Sequence, residues 1–414
     1  MRAGQALRAQ LFPLYLPGLV FSTAWAGLQL AVPLFALGRG ATAAQTGVIL
    51  ALFELGSLAA SAPGGALVAR SSPRTASALG AIVLGVTIAV ASTLPGIVAF
   101  AAAVFAMGVA RGLWEVSRLA YARYSAQGPD RGRVLAALGG VHRLGSVLGP
   151  GAAGLIAAAG GVPLALRVVA GAMVVAGVVT ALLMRDTGMA SRDRADERRS
   201  SLRGVVRSHW RDLLRNGGPI MILMLVRTSR RLLLPVWGEL ELELDEDAIG
   251  LAVSVSWAVD LALVYVGGVV SDRFGRRIAS TTALLVMSLG LLLLPLAGSY
   301  ALLLLIAGLM GAGNGFSSGL VMTMGADLAP RGQSGRFLGI WRLLADVGAA
   351  SGPLAIGGAA RLLSLAAAGP ATGVIGLVGA GLFLFVARET GASADADADQ
   401  EPDAGRQGPA GSAG

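Results

Sequence analysis

Gly268-Val-Val-Ser-Asp272-Arg273-Phe-Gly275-Arg276-Arg277 has a degraded copy, Gly65-Ala-Leu-Val-Ala69-Arg70-Ser-Ser-Pro-Arg74, at a spacing of 203 residues. The same 203 residues separate Gly145…Gly149-Pro150 from Gly348…Gly352-Pro353, and Met107-Gly108 from Met310-Gly311. One offset holding from position 65 to 153 without a gap marks an internally duplicated chain. Both copies are strongly apolar, so the repeated unit is a bundle of membrane helices and not a soluble solenoid.

Composition agrees. Of 414 residues, 55% are hydrophobic and only 14% charged, with 60 glycines and no cysteine. Soluble domains carry about 25% charged residues, and no single water-soluble core hides so much apolar surface. Abundant Gly and Ala suit helices that approach closely in lipid. The lack of Cys excludes disulfides, thiolate metal sites and thiol nucleophiles. The formal charge of +9 comes entirely from arginine on the basic side. No aromatic-basic patch or soluble domain accompanies it, so nucleic acid is not an expected partner.

Stretches of about 20 apolar residues, enough to span a bilayer, are expected at 11–37, 45–69, 75–94, 96–120, 134–160 and 162–184. A second set is expected at 218–238, 247–271, 278–296, 300–327, 338–360 and 370–387. The expected organisation is an N-terminal six-helix bundle (1–184), a charged central loop (185–217), a C-terminal six-helix bundle (218–388) and a disordered acidic tail (389–414). The central loop should hold a short amphipathic helix near Leu202, Trp210 and Leu214 on the membrane surface. With the amino terminus inside, 23 arginines fall in inner segments and two, Arg39 and Arg361, in outer ones. That asymmetry predicts a multi-pass protein of the cell membrane with both termini cytoplasmic.

The Gly268–Arg277 stretch falls in an inner loop. Gly268 is expected to permit close helix contact and Gly275 a tight turn. Asp272 should accept from a neighbouring helix's free N–H groups or pair with arginine. Arg273, Arg276 and Arg277 would anchor the turn at the membrane face. In span five, Gly145, Gly149 and Pro150 make a groove and a bend, mirrored in span eleven by Gly348, Gly352 and Pro353.

These motifs resemble those of the major facilitator superfamily: the Asp272 loop is similar to its loop signature, and the Gly-Pro pattern to the fifth-helix motif of its proton-coupled exporters. The resemblance covers about positions 10–388. It implies an all-α membrane fold of twelve helices in two pseudo-symmetric six-helix bundles, with a solute cavity between them. It also implies alternating access, commonly driven by protons. One departure is that the arginine of span four, Arg111, follows Gly108, whereas in the superfamily it often precedes the glycine.

A charge at the bilayer centre costs about 3 kcal/mol or more, so ionisable residues there should be paired, wet or functional. Glu54, Glu115, Asp260 and Asp346 are the candidates for proton coupling, Glu54 first because no basic residue lies within a helical turn of it. Arg111, Glu115 and Arg118 share one helical face. Arg227, Arg230 and Arg231 lack a local acid. Arg342 and Asp346 form an i, i+4 pair. Arg143 sits at the duplicate position of Asp346; the two could form a lock between the halves, but separate local pairing is the first expectation. Trp25, Trp114, Asn314 and the arginines 111, 118, 227, 230 and 342 are expected to line the cavity, and Trp257 and Trp341 to lie near it. No catalytic constellation, metal-ligand spacing, phosphate loop or cofactor motif appears. The expected function is therefore not enzymatic: proton-coupled efflux of drug-like or amphipathic solutes by a monomer. The alternative is import or exchange of an anionic metabolite, favoured by the excess of arginines over acids at membrane depth.

Overall fold

The computed structural model describes residues 14–70, 72–125, 131–184, 202–330 and 334–390. The acidic tail after 390, most of the central loop (185–201) and the first thirteen residues lie outside the described residues. So do the side chains of 61–71, which include Gly65 and Arg70 of the degraded loop copy.

The first half comprises α1 (Leu16–Leu37), α2 (Ala43–Arg70), α3 (Pro73–Ala91), α4 (Ile97–Ser125), α5 (Arg131–Gly160) and α6 (Val162–Leu183). The second comprises α7 (Leu202–Leu240), α8 (Glu246–Phe274), α9 (Arg276–Leu293), α10 (Tyr300–Phe316), α11 (Leu320–Leu328), α12 (Ser334–Leu362) and α13 (Leu365–Phe385). No strand occurs among the described residues. The helices α8, α9, α10, α12 and α13 each begin 203 residues after α2, α3, α4, α5 and α6, and α7 ends 203 residues after α1. The repeat read from three motifs thus governs the whole fold.

Local chemistry sets these boundaries. Thr42 and Gln45 exchange hydrogen bonds at the start of α2, with Gln45 N donating to Thr42 Oγ1 and Thr42 N to Gln45 Oε1. Ser72, Ser299 and Ser364 each accept a backbone N–H at the start of α3, α10 and α13, satisfying donors that helix geometry leaves free. Gly275 joins α8 to α9 at φ +92°, a conformation that disfavours any Cβ. The tenth span breaks between α10 and α11 at Gly319, φ +80°, whereas its counterpart α4 runs unbroken.

Among the described residues, ten spans are long and apolar enough to cross a membrane by themselves. α5 and α7 are not among them: α7 carries a series of arginines, and α5 sets His142-Arg143 among many glycines. Within the first half the main pairings are α1 with α5, α2 with α4, and α3 with α4 and α6. In the second they are α7 with α12, α8 with α10, and α9 with α10 and α13. Each half has its own core, built around Phe21, Trp25, Phe100 and Met173 in one and Leu223, Leu233, Met310 and Phe383 in the other. Outward-facing Val98, Leu155, Tyr265, Leu305 and Phe385 are largely exposed, which suits a surface solvated by hydrocarbon. The segment 202–217 is not a loop with a separate surface helix. It is the first part of α7, kinked at His209, where φ/ψ leave the helical region.

Two seams join the halves: α5 against α8 and α2 against α12. A Cβ built on Gly250 would lie 2.6 Å from the carbonyl oxygen of Pro150, and one on Gly47 would lie 2.5 Å from that of Pro353. Gly154 approaches Glu246 and Gly250 as Gly357 approaches Ala44 and Gly47. Both seams close the face that carries the acidic 239–247 loop. Gly145 and Gly149 pack on Ser22 and Thr23 of α1, and Gly348 and Gly352 on Met221 and Thr228 of α7. The motif's first glycines therefore hold each half together, and the glycine after the proline meets the other half.

Candidate functional site

Glu54 lies eleven residues into α2, about 16 Å from its start at 1.5 Å per residue. It faces the gap between the halves. Arg231 of α7 approaches it at 3.8 Å from the other half, and Arg111 of α4 at 3.8 Å from its own. Glu54 is therefore held between two arginines, contrary to its sequence isolation, because both reach it from other helices. Arg111 also binds Glu115 at 3.0 Å, donates to Ser57 and lies 4.6 Å over the Trp25 ring.

Two more ion pairs cross between the halves. Arg342 of α12 meets Glu115 at 3.5 Å, and Arg143 of α5 meets Asp260 of α8 at 3.6 Å. The lock suggested between Arg143 and Asp346 is thus not the pair that forms: Asp346 binds Arg342 along its own helix at 2.9 Å, and Arg143 takes Asp260. The physical reason is proximity, since the α5–α8 seam brings Arg143 beside Asp260 while Asp346 has a nearer cation one turn away. Pairs one helical turn apart sit at 2.9–3.0 Å, whereas pairs between helices, within a half or across the halves, sit at 3.5–3.8 Å.

The remaining arginines of α7 have no carboxylate within ion-pair distance among the described residues. Arg227 donates to the carbonyl and hydroxyl of Ser317. Arg230, 3% exposed, donates to Ser256 Oγ at 2.7 Å and stacks 4.8 Å over Trp257. Asn314, at the duplicate position of Arg111, is buried with its Oδ1 unpaired. Arg118 and Trp114 lie elsewhere than expected. Trp114 stacks on Phe21, ring centroids 3.4 Å apart, inside the first half, and Arg118 covers its other side at 4.4 Å. They line a small niche among α1, α3, α4 and α6, not the gap between halves. Trp341 donates to Val321 within the second half, and His142 is half-buried beside the Arg143 seam.

Between the halves lies a cavity of about 40 Å³, lined by Trp25, Leu28, Phe53, Glu54, Thr228 and Arg231, among others. That volume holds a few waters, so an organic solute enters this cavity only when its walls part. A larger open groove of about 920 Å³ lies between the halves beside the α2–α12 seam, lined by Gln45, Val48, Ile97, Leu354 and Arg361 among others. A smaller niche adjoins the central cavity through Gln29 and Arg231. No cluster of His, Cys, Asp and Glu able to hold a metal occurs among the described residues.

At the loop motif, Asp272 is exposed and pairs with Arg276 at 2.9 Å, and Arg276 also reaches Asp327 at 3.5 Å. Arg273 stays exposed. The free N–H groups that start α9 are not taken by Asp272. Glu389, beyond the last span, accepts from Arg276 N at 2.8 Å and Arg277 N at 3.3 Å. A Cβ on Gly268 would meet nothing within 4 Å, and the close approach belongs to Gly267, against Gly315 and Phe316 of α10. Sequence reasoning missed Ser256, Ser317, Gln29 and Glu389, none of which carries a local signal. It also missed Gly47 and Gly250, which the 203-residue offset pairs.

A family model of the Major Facilitator Superfamily matches residues 14–227 and 219–410. The chain belongs to that superfamily: it is an integral membrane protein and a secondary transporter, not an enzyme. No curated protein matches its sequence. Among solved structures, a variant of the nucleoside transporter NupG is similar with a TM-score of 0.77 at 12% identity, covering 92% of this chain and 100% of that one. A POT family transporter in complex with 5-aminolevulinic acid is similar with a TM-score of 0.71 at 14% identity, covering 92% and 95%. At such identities the likeness is one of fold.

Proposed function

We propose that this chain moves amphipathic organic solutes across the cell membrane, coupled to protons, by rocking one half against the other about the central cavity. The carrying observation is the set of three ion pairs, Glu54–Arg231, Glu115–Arg342 and Asp260–Arg143, that cross between the halves. Each places an acid where protonation or solute removes a tie between the halves. Glu54 is the coupling residue of choice, because it alone borders the cavity. The glycine seams close one face, so in this state access runs from the opposite, arginine-rich face, which we assign to the cytoplasm together with both termini. The chain works as a monomer, since both halves of the cavity come from one polypeptide.

Export is the first reading of direction, supported by the Gly-Pro motif of α5 and its mirror in α12. Uptake or exchange of an anion is the second, supported by Arg227 and Arg230, which have no acidic partner.

The chain lacks cysteine, which makes a direct test simple. A Cβ on Gly151 would lie 3.9 Å from Ser254 Cβ across the α5–α8 seam, within disulfide range. In membrane vesicles with an imposed ΔpH, the Gly151→Cys/Ser254→Cys variant should stop moving solute on oxidation and recover on reduction. The assay uses a panel of lipophilic cations and organic anions. Transport that persists after complete cross-linking refutes alternating access.

A further inference from the structure

The niche beside the main cavity holds an imbalance that the proposed function does not use. It lies among α1, α7 and α8 and is lined by Gln29, Arg230, Arg231, Ser256 and Trp257, with a volume of about 10 Å³. Arg230 is 3% exposed; one Nη donates to Ser256, and Nη2 has no hydrogen-bond partner. Arg231 also leaves its Nε buried without a partner, and its acid, Glu54, is 3.8 Å away and shared with Arg111. Both guanidinium groups stand over the Trp257 ring, at 4.8 and 5.8 Å.

A buried cation without a counter-charge is costly, and so is an N–H group denied an acceptor. Ser256 and Gln29 supply dipoles; the nearest acid, Asp260, attracts Arg230 from beyond ion-pair distance and is already held by Arg143 at 3.6 Å. The walls of the adjoining cavity are of another kind: Trp25, Leu28, Val32, Leu50 and Phe53 give it an apolar lining. A charged niche opening beside an apolar wall describes a ligand with a head and a body.

We propose that this niche binds the oxyanion head of an amphipathic organic acid, with Arg230 and Arg231 as its donors and the solute's apolar body against Trp25 and Phe53. The inference rests on the solute-chamber reading above and gives that chamber its substrate class. Guanidinium groups match planar oxyanions geometrically. The niche volume accommodates an oxygen-sized group, and the body follows when the halves separate. The head competes with Glu54 for Arg231.

The test uses the purified full-length protein in lipid nanodiscs, titrated calorimetrically with naphthoate and naphthalenesulfonate. The neutral naphthamide and the cation naphthylmethylammonium serve as matched comparisons. The anions should bind and the other two should bind at least about tenfold more weakly, as loss of charged hydrogen bonds implies. Arg230→Gln should lose about tenfold or more in anion affinity while keeping a cooperative melt in anion-free buffer. Glu54→Gln, which removes the competitor for Arg231, should bind the anions more tightly. The inference is overturned if the amide or the cation binds as well as the acids, if no anion binds, or if Arg230→Gln keeps full affinity. The cross-linking rate of the Gly151/Ser254 pair reads the rocking equilibrium with no solute present. A normal rate with no anion binding therefore sinks this inference alone, and a failed cross-link block sinks the transport reading instead.

Discussion

Replacing Gly250 with alanine should push the two halves apart on the face they now close. The added methyl would sit 2.6 Å from the Pro150 carbonyl oxygen and 3.1 Å from Gly154 Cα, where ordinary contact begins at 3.4 Å. Both obstacles are backbone of the other half, so no rotamer change relieves the clash. The seam itself must widen by about 0.8 Å. Overpacking of this kind costs about 1–3 kcal/mol, and the cost falls only on the conformation in which the seam is shut. The closed population should therefore drop about 5- to 150-fold relative to the open one. Alanine also improves helix propensity by about 1 kcal/mol, but α8 is helical in both conformations and that gain cancels. The rate of disulfide formation in the Gly151→Cys/Ser254→Cys background reads the change, and it should fall by the same factor. Two controls separate the seam from general damage. At Gly268 a Cβ meets nothing within 4 Å, so Gly268→Ala should leave the rate unchanged. At Gly108 a Cβ would lie 2.0 Å from Phe53 O inside the first half, so Gly108→Ala should lower the melting temperature and spare the rate. An unchanged cross-linking rate in Gly250→Ala would refute the claim that these glycines set the closed state. By the twofold kinship, Gly47→Ala should act like Gly250→Ala.

Glu54→Gln should abolish ΔpH-driven transport in energised vesicles; full retained activity rules it out as the coupling residue. Asp260 is 2% exposed, so Asp260→Asn, which strands Arg143, should destabilise the protein by about 3–5 kcal/mol. Adding Arg143→Gln should recover part of that loss, and a double-mutant cycle by thermal unfolding with zero coupling would show the pair to be idle. Glu389→Gln weakens two charged contacts at the start of α9 and should cost about 0.5–2 kcal/mol, read as a lower melting temperature.

The architecture was legible because hydrophobic length and a repeated spacing are properties of the chain itself. Once the offset was found, every second-half helix start followed from its partner. Contacts between distant helices were not legible. Glu54 reads as an isolated acid along α2, yet Arg111 and Arg231 reach it from α4 and α7. Gly268 reads as the contact glycine, but its neighbour Gly267 faces α10; one residue turns a helix by about 100°, more than pattern alone resolves. The N–H groups of α9 find Glu389, not the nearer Asp272, because the chain end returns to that face. The helix expected near Leu202, Trp210 and Leu214 does form, but it runs on into the seventh span across a kink at His209, a continuity that the charge of the segment hides.

What the duplication repeats is as informative as what it drops. The glycines that set backbone distance recur in both halves: Gly47 with Gly250, Gly108 with Gly311, Gly154 with Gly357. The loop arginines recur as well, Arg70 with Arg273 and Arg74 with Arg277, but the mid-membrane charges do not recur in kind. Glu54, Asp260 and Arg111 have Trp257, Ser57 and Asn314 at their duplicate positions. Close packing in lipid needs only shape, so selection on each half keeps the same small residues. Each half has six spans, so both run the same way through the membrane and the twofold between them lies along the membrane normal, mapping each open state onto itself. Unequal charge therefore decides which residues tie one half to the other. The three crossing pairs sit at 3.5–3.8 Å, as do the pairs between helices of one half, while the pairs one helical turn apart sit at 2.9–3.0 Å. A proton or an anion that takes one member of a crossing pair shifts the balance by its own differential affinity for the two states. The small residues keep the halves able to pack, and the charges supply the coupling. Ser57 already accepts from Arg111, so Ser57→Asp would compete with Glu54 for that arginine and should uncouple transport from ΔpH while the cross-linking rate at the seam stays near the parent's.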